Sequence, residues 1–267
     1  MKTRDFQRSN TLSAPAWLLC AAMTVASTTP TEASDGRIFW VGPEASCDHA
    51  SIQAALADGA GSAAGDEVRV SLSYSHSGMV TIGGDLTLRG GFESCRGQVT
   101  SDRSALYAPP MDPLFVLEAG HRLELLDLRL VGDNSGPRDG GVIRMQPGRI
   151  VLVLDDVLIE NGNAVRGGAI FMAGDGNRLE MNETQIAGNT AVTGGGVYCA
   201  RGAELSLHSG RIEGNSATLA GGGIYVEAGC NLPDEPNRLS RVVADNHVTS
   251  DQFGYEVGVE LATAGSR

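Results

Sequence analysis

The chain is short of positive charge. It carries 20 Lys and Arg residues against 32 Asp and Glu residues, a formal net charge of −12, and Lys2 is its only lysine. Binding to nucleic acid or to an anionic membrane surface depends on clustered Lys and Arg side chains, and the sequence contains no such cluster. We therefore exclude both classes of partner.

Aromatic residues, zinc-site cysteines and long apolar runs are also scarce. Aromatics make up 5% of the chain, and the five cysteines include no CxxC pair. The apolar run over residues 14–27 falls short of the roughly 20 residues that span a bilayer. Basic residues precede it and small residues follow it, a pattern that predicts a signal peptide over residues 1–33. We expect an exported chain, extracellular, cell-surface or periplasmic, with no membrane span after cleavage.

Glycine is abundant, and it marks a repeat. A double glycine followed by apolar residues begins at Gly140, Gly167, Gly194 and Gly221, which are 27 residues apart. Each repeat contains three short stretches in which apolar residues alternate with others, a period typical of strands with one buried face. Three strands in 27 residues describe one coil of a parallel β-helix, in which stacked coils bury each other's apolar side.

Asparagine recurs after the second strand of the repeats. Asn163, Asn189 and Asn215 follow one another at steps of 26 residues. Asn tolerates the left-handed backbone of a tight corner, and its amide can bond to the amide of the next coil. We predict an asparagine ladder at these three positions.

The repeats resemble those of a known family. Gly167-Gly168-Ala169-Ile170 and Ile186-Ala187-Gly188-Asn189 are similar to the Gly-Gly-Ala-Ile and Phe-x-x-Asn elements of chlamydial-type polymorphic outer membrane proteins, with Ile186 in place of Phe. More broadly, residues 38–262 resemble bacterial proteins of the pectin-lyase-like superfamily. The resemblance implies an all-β fold, a right-handed parallel β-helix, and a place at the cell surface or outer membrane.

The N-terminal part differs from the repeats. We divide the exported chain into an N-terminal cap with the first coils, residues 34–95, and the remaining coils, residues 96–267. Residues 51–57 predict a short helix, with Ser51 or Asp48 as its N-cap, that covers the open end of the β-helix. The chain shows no series of ten-residue barrel strands and so is not expected to be a whole autotransporter.

Four cysteines follow the predicted signal peptide. Cys47 and Cys95 lie in the N-terminal part, and we predict a disulfide between them. Cys199 occupies a core position, whereas Cys230 lies about 13 Å of extended chain beyond the corresponding position of the next coil. A buried free Cys199 is therefore favoured, although a sharp turn at residues 228–229 would allow a second disulfide.

One column of outward residues is a candidate binding face. If Ile170, Val197 and Ile224 point inward, their neighbours point outward and form a column of one residue per coil, which comprises Arg144, Phe171, Tyr198 and Tyr225. Exposed rings could bind sugars or the apolar side chains of a protein. The alternative is a stack that only stabilises the outer side of the sheet.

Enzymatic residues are harder to find. A lyase needs carboxylates that hold calcium and a basic residue, and a hydrolase needs two facing carboxyl groups. The best candidates are Asp155, Asp156, Arg129 and Arg144, and the five histidines stand alone. The sequence thus favours a non-catalytic secreted or surface module, without metal or cofactor, that binds polysaccharide or a protein through a coil face. The alternatives are a polysaccharide lyase or glycoside hydrolase and a structural envelope protein.

Overall fold

The computed structural model describes residues 36–136, 138–232 and 242–249 and the backbone of residues 259–261. The predicted fold class is confirmed, because three seven-stranded parallel sheets wind into a β-helix of about seven coils. The predicted signal peptide, residues 1–33, lies outside the described residues. Within the described part of the chain, no helix is long and apolar enough to cross a membrane.

Three faces and a corner sheet form the walls. The first face contains Ile38–Val41, Glu67–Ser71, Leu86–Phe92, Arg122–Leu126, Val151–Asp155, Arg178–Asn182 and Glu204–Leu207. The second face contains His76–Ser77, Ser104–Tyr107, Leu128–Val131, Leu158–Glu160, Thr184–Ala187, Gly210–Glu213 and Val243–Ala244. The third face contains Val80–Ile82, Phe115–Leu117, Ile143–Met145, Ile170–Met172, Val197–Cys199, Ile224–Val226 and Val259–Leu261. The corner sheet lies between the second and third faces and contains Asn163–Arg166, Thr190–Thr193, Ser216–Ala220 and His247–Val248.

The core follows the predicted alternation. Ile143, Ile170, Val197 and Ile224 pair in register from coil to coil, and each is fully buried. Because the register does not slip between these third-face strands, equivalent side chains form continuous apolar stacks along the axis, so each coil buries the inner side of its neighbours.

The double glycines are required by the turn into the third face. Gly167 has φ +66°, a left-handed conformation that favours glycine. A Cβ on the next residue, Gly168, would lie 2.1 Å from the carbonyl oxygen of Gly195 in the following coil. One glycine therefore supplies the turn and the other permits close stacking of the coils.

The asparagine ladder exists, but it is shifted from the prediction. Asn189 and Asn215 are fully buried, and Asn189 Nδ2 donates to Asn215 Oδ1 at 2.9 Å. Asn215 Nδ2 in turn donates to Asn246 Oδ1 at 3.0 Å. Asn163 is not a rung, because it pairs with Thr190 rather than with Asn189. The coil step there is 27 residues, so the rung position belongs to Gly162, whose N–H donates to Asn189 Oδ1 at 2.8 Å.

The N-terminal cap is as predicted. The helix spans Ile52–Ala57, and its N-cap is Ser51, whose Oγ accepts a hydrogen bond from Ala54 N at 3.1 Å. Ile52 and Ala55 are buried against the first coils. The predicted disulfide between Cys47 and Cys95 is present, with the two Cα atoms 5.1 Å apart.

Cys199 is not a free thiol, so the favoured expectation was wrong. It forms a disulfide with Cys230, and their Cα atoms are 6.0 Å apart. The chain turns back after the last strand of the coil, because Cys230 N donates to Glu227 O at 2.9 Å and Gly229 has φ +96°. Two disulfides favour an oxidising compartment outside the cytoplasm.

Candidate functional site

The outer side of the third face carries the predicted column of residues. Thr81, Val116, Arg144, Phe171, Tyr198 and Tyr225 pair in register, one from each successive coil. Each lies between two core residues of its strand. The side chains therefore stand on the outer surface of the sheet, as the alternation predicts.

The three rings stack along the axis of the β-helix. The Phe171 and Tyr198 ring centroids are 5.5 Å apart with an interplanar angle of 29°, and those of Tyr198 and Tyr225 are 5.1 Å apart at 19°. The next outward position of two of these strands is alanine, Ala173 and Ala200, which leaves room for the rings. These five residues form an apolar cluster separate from the core, which we call the ring cluster.

The predicted exposure of the rings is wrong. Phe171 is 8% exposed and Tyr198 is 5% exposed, while Tyr225 is partly buried. Ring faces that stack on one another cannot also face solvent. In addition, the Arg166 guanidinium carbon lies 4.7 Å from the Phe171 centroid and 5.3 Å from that of Tyr198. The ring cluster is thus covered by a cation of its own chain.

Arg166 is held in this position by Asp139. Its Nε donates to Asp139 Oδ1 at 2.9 Å, and its Nη2 donates to Oδ2 at 2.6 Å. These bonds and a further bond to Tyr198 raise the pKa of Arg166, so it stays charged. Arg166 is the last residue of a corner-sheet strand, directly before the Gly167 turn, and this location brings its side chain across the ring cluster.

Tyr198 also bonds at its outer edge. Its hydroxyl donates to Glu227 Oε1, and Arg201 N donates to Glu227 Oε2 at 2.9 Å. Burial and the bond to Glu227 raise the pKa of Tyr198 to about 12. Burial favours a higher pKa for Glu227, but the bonds from Tyr198 and Arg201 outweigh it and lower that pKa. Tyr198 is therefore fixed rather than free to turn toward a ligand.

A groove begins where the ring cluster ends. It has a volume of about 810 Å³ and is lined by Arg138, Asp139, Arg144, Gln146, Pro147, Val165, Arg166, Phe171 and Ala173. We call it the third-face groove. It brings together two of the predicted binding residues, Arg144 and Phe171, whereas Tyr198 and Tyr225 lie outside its lining.

The three arginines of the groove differ in their partners. Arg138 pairs with Asp112 at 3.0 Å, and Arg166 pairs with Asp139. Arg144 makes no hydrogen bond or ion pair within the described residues, and its Nε is buried without a partner. The groove therefore contains one uncompensated guanidinium.

No family model matches this chain, and neither a curated protein nor a solved structure matches it. Its resemblance to the polymorphic outer membrane proteins and to the pectin-lyase-like superfamily accordingly stays a prediction.

The enzyme candidates do not meet in one site. Asp156 lies at a corner with φ +52°, and it pairs with Arg103. Arg129 stands on the second face and pairs with Glu160. Arg144 stands on the third face, and Asp155 ends a strand of the first face. Each of the two carboxylate-arginine pairs thus satisfies its own charges on a different side of the β-helix from Arg144.

One group in the described residues has metal-ligand spacing, but it is not a usable site. It consists of Glu44, Cys47 and Cys95. Both sulfur atoms belong to the disulfide, and a metal-binding cysteine must be a thiolate. Glu44 instead accepts a hydrogen bond from Ser71 Oγ at 2.7 Å.

The sequence prediction missed Arg166, which covers the rings, and two of the charged residues that line the groove with it. Arg166, Asp139 and Arg138 lie in loops and strand ends that the apolar pattern does not mark. A signal was nevertheless available, because the positions equivalent to Arg166 in the next coils are Thr193 and Ala220. An arginine at a position that is otherwise small indicates a local role in its own coil.

Proposed function

We propose that this protein is a non-catalytic extracellular module that binds a polysaccharide in the third-face groove. The observation that carries the proposal is the groove itself, which joins the end of the ring cluster to polar side chains. The groove is an open depression of about 810 Å³ on the outer side of the β-helix, a form that suits one stretch of an extended polymer. Two disulfides and the predicted signal peptide support an extracellular place of action.

The lining suits a sugar. Val165, which is 40% exposed, supplies apolar surface for the C–H side of a sugar ring, and Gln146 and the arginines supply donors for its hydroxyl groups. Such sites combine an apolar wall with a few polar groups that set orientation. The stacking of the rings moves the proposed site away from Tyr198, whose two faces lie against Phe171 and Tyr225, and Tyr225 lies outside the groove lining.

The test uses two matched substitutions on the corner sheet. Val165 lines the groove and is 40% exposed, and Val192 occupies the equivalent position one coil further and is 36% exposed. Val165→Trp fills the groove, whereas Val192→Trp adds the same side chain outside it. Surface substitutions of this kind change stability by about 0.5 kcal/mol or less, which circular dichroism and urea unfolding will verify.

The measurement is affinity electrophoresis through gels that contain neutral or acidic polysaccharides. We expect at least one polymer to retard the parent and Val192→Trp but not Val165→Trp. Equal retardation of all three proteins would place binding elsewhere on the molecule. If no polymer retards the parent, the polysaccharide proposal fails, and a protein partner or a structural role becomes the better account.

A further inference from the structure

We infer that Arg144 binds an anionic group of the ligand, a carboxylate or a sulfate ester carried by a sugar. The inference rests on the proposed function, since it names the class of polysaccharide that the third-face groove takes. It starts from the one arginine of the groove that lacks a partner within the described residues.

The outward arginines elsewhere on the β-helix show what is missing at Arg144. Several pair with a glutamate two residues away on the same strand, so that both side chains stand on the same outer side. These pairs are Arg69 with Glu67, Arg122 with Glu124, Arg178 with Glu180 and Arg211 with Glu213. At Arg144 the two corresponding positions hold Val142, which is buried, and Gln146, which is neutral.

The neighbouring coils do not supply a carboxylate either. The residues in register with Arg144 are Val116 on one side and Phe171 on the other. The groove carboxylate, Asp139, is engaged by Arg166 through both of its oxygens. Arg144 therefore has no carboxylate beside its guanidinium, and its buried Nε–H lacks an acceptor among the described residues, which is a costly arrangement.

The chemistry of the guanidinium defines the ligand. Its two Nη groups are not buried, unlike Nε, and they form a planar pair of donors that matches the two oxygens of a carboxylate or sulfate. The other two groove arginines are neutralised by Asp112 and Asp139, so Arg144 gives the groove a local positive charge on a chain whose formal charge is −12. An acidic sugar balances this charge.

The experiment compares acidic polymers with neutral counterparts. The probes are alginate and carboxyl-reduced alginate for the carboxylate, and dextran sulfate and dextran for the sulfate ester. The variants are Arg144→Gln, Arg144→Lys and Arg149→Gln. Arg149 is a matched control, because it is exposed, lies outside the groove lining and has no side-chain hydrogen bond or ion pair within the described residues.

We expect Arg144→Gln to weaken binding of the preferred acidic polymer by about ten- to a hundredfold, while Arg149→Gln leaves it within about twofold. Arg144→Lys keeps the charge but loses the planar pair of donors, so it should also bind weakly. Whether alginate or dextran sulfate responds identifies the anionic group. Binding that is equal for acidic and neutral polymers, or unchanged in Arg144→Gln, would overturn the inference and leave the polysaccharide proposal standing.

A second readout does not depend on a polymer. The Nε–Hε cross-peak that Arg144→Gln removes from the NMR spectrum identifies Arg144 in the parent protein. Titration with sodium glucuronate or sodium sulfate should shift that peak more than those of the other arginines, and methyl glucoside should not. If no polymer binds but the peak shifts, the polysaccharide proposal fails and the anion site stands. If the peak does not move, Arg144 is not an anion site.

Discussion

The outer sides of the first and third faces have the same strand alternation but carry different side chains. The first face presents ion pairs to solvent, whereas the third face packs aromatic rings against one another. On the first face, Arg122 pairs with Glu124 at 2.7 Å and Arg178 pairs with Glu180 at 2.7 Å. On the third face, outward positions hold stacked rings, and Arg144 at their end has no partner within the part of the chain that the structure describes.

The two faces therefore differ in how much their outer side chains contribute to stability. Exposed ion pairs contribute about 0–1 kcal/mol each, because solvent screens them. Stacked rings bury apolar area and contribute more. A surface that packs its aromatic residues yet leaves a guanidinium without a partner among the described residues is not explained by stability alone, and this contrast underlies our proposal of a binding site on the third face.

The largest effect should come from removing a ring. Tyr198→Ala takes the middle member out of the ring cluster and should lower the free energy of unfolding by about 3–4 kcal/mol. Glu180→Ala on the first face is its matched control and should cost less than about 1 kcal/mol. Urea unfolding of both variants measures the contrast. Similar losses in the two variants would mean that the ring cluster contributes no more to the free energy of unfolding than an exposed ion pair.

The second effect is a loss of stability in acid, and it comes from the buried carboxylate of Asp66 beside the first face. Asp66 directly precedes the strand Glu67–Ser71, its side chain is fully buried, and it pairs with Arg37 at 2.9 Å. Burial favours a higher pKa, but bonds from Arg37 and from backbone N–H groups outweigh it and lower the pKa of Asp66 to about 2.

A lowered pKa stabilises the fold above the unfolded-state value and loses that contribution as the carboxylate is protonated. We therefore expect the parent to lose about 2 kcal/mol as the pH falls from about 4 to about 2, out of about 2.5 kcal/mol lost between about pH 5 and pH 1. Asp66→Asn should lose a similar amount at neutral pH and show a flatter acid profile. A parent profile that is already flat between these values would contradict the assigned pairing of Asp66.

The third and smallest effect is alkaline and belongs to the third face. The pKa of Tyr198 is raised to about 12, whereas an unfolded tyrosine titrates near about 10. Its contribution is complete below about pH 10 and is lost as the pH rises toward 12, because the unfolded state ionises first. We expect a loss of about 1–2 kcal/mol over that interval, after allowance for solvent at the ring edge.

Tyr198→Phe keeps the ring and removes the titrating group, so its unfolding free energy should fall less steeply above about pH 10. Parallel chemical-denaturation series for the parent and the variant isolate this residue from the other tyrosines. Superimposable pH profiles would show that the Tyr198 hydroxyl does not distinguish the third face from the first.

Much of the fold could be predicted because the repeat is long and regular. The positions of Ile143, Ile170, Val197 and Ile224 set strand type, register and core together. The capping helix followed from a short apolar pattern after Ser51.

The failures occurred where distance along the chain is a poor guide to distance in space. Asn163 keeps a 26-residue spacing that the local 27-residue coil step displaces by one position. Cys230 reaches Cys199 through a turn at Gly229 that an extended-chain estimate does not contain. The rings were correctly placed outward, but Arg166 and Asp139, which cover or flank them, come from outside the apolar pattern.

The steady register of the third-face strands makes the molecule modular. Residues 168–194 form one full period, and their excision would join Gly167 to Gly195, the counterpart of Gly168 one coil further on. The shortened chain would lose one layer of about 4.8 Å. The side chain of Asn215 would then lie next to Gly162 in the asparagine ladder. The same excision would set Tyr198 next to Arg144 in place of Phe171. Removal of one coil would thus replace Phe171 by Tyr198 at the end of the third-face groove while the fold stays the same.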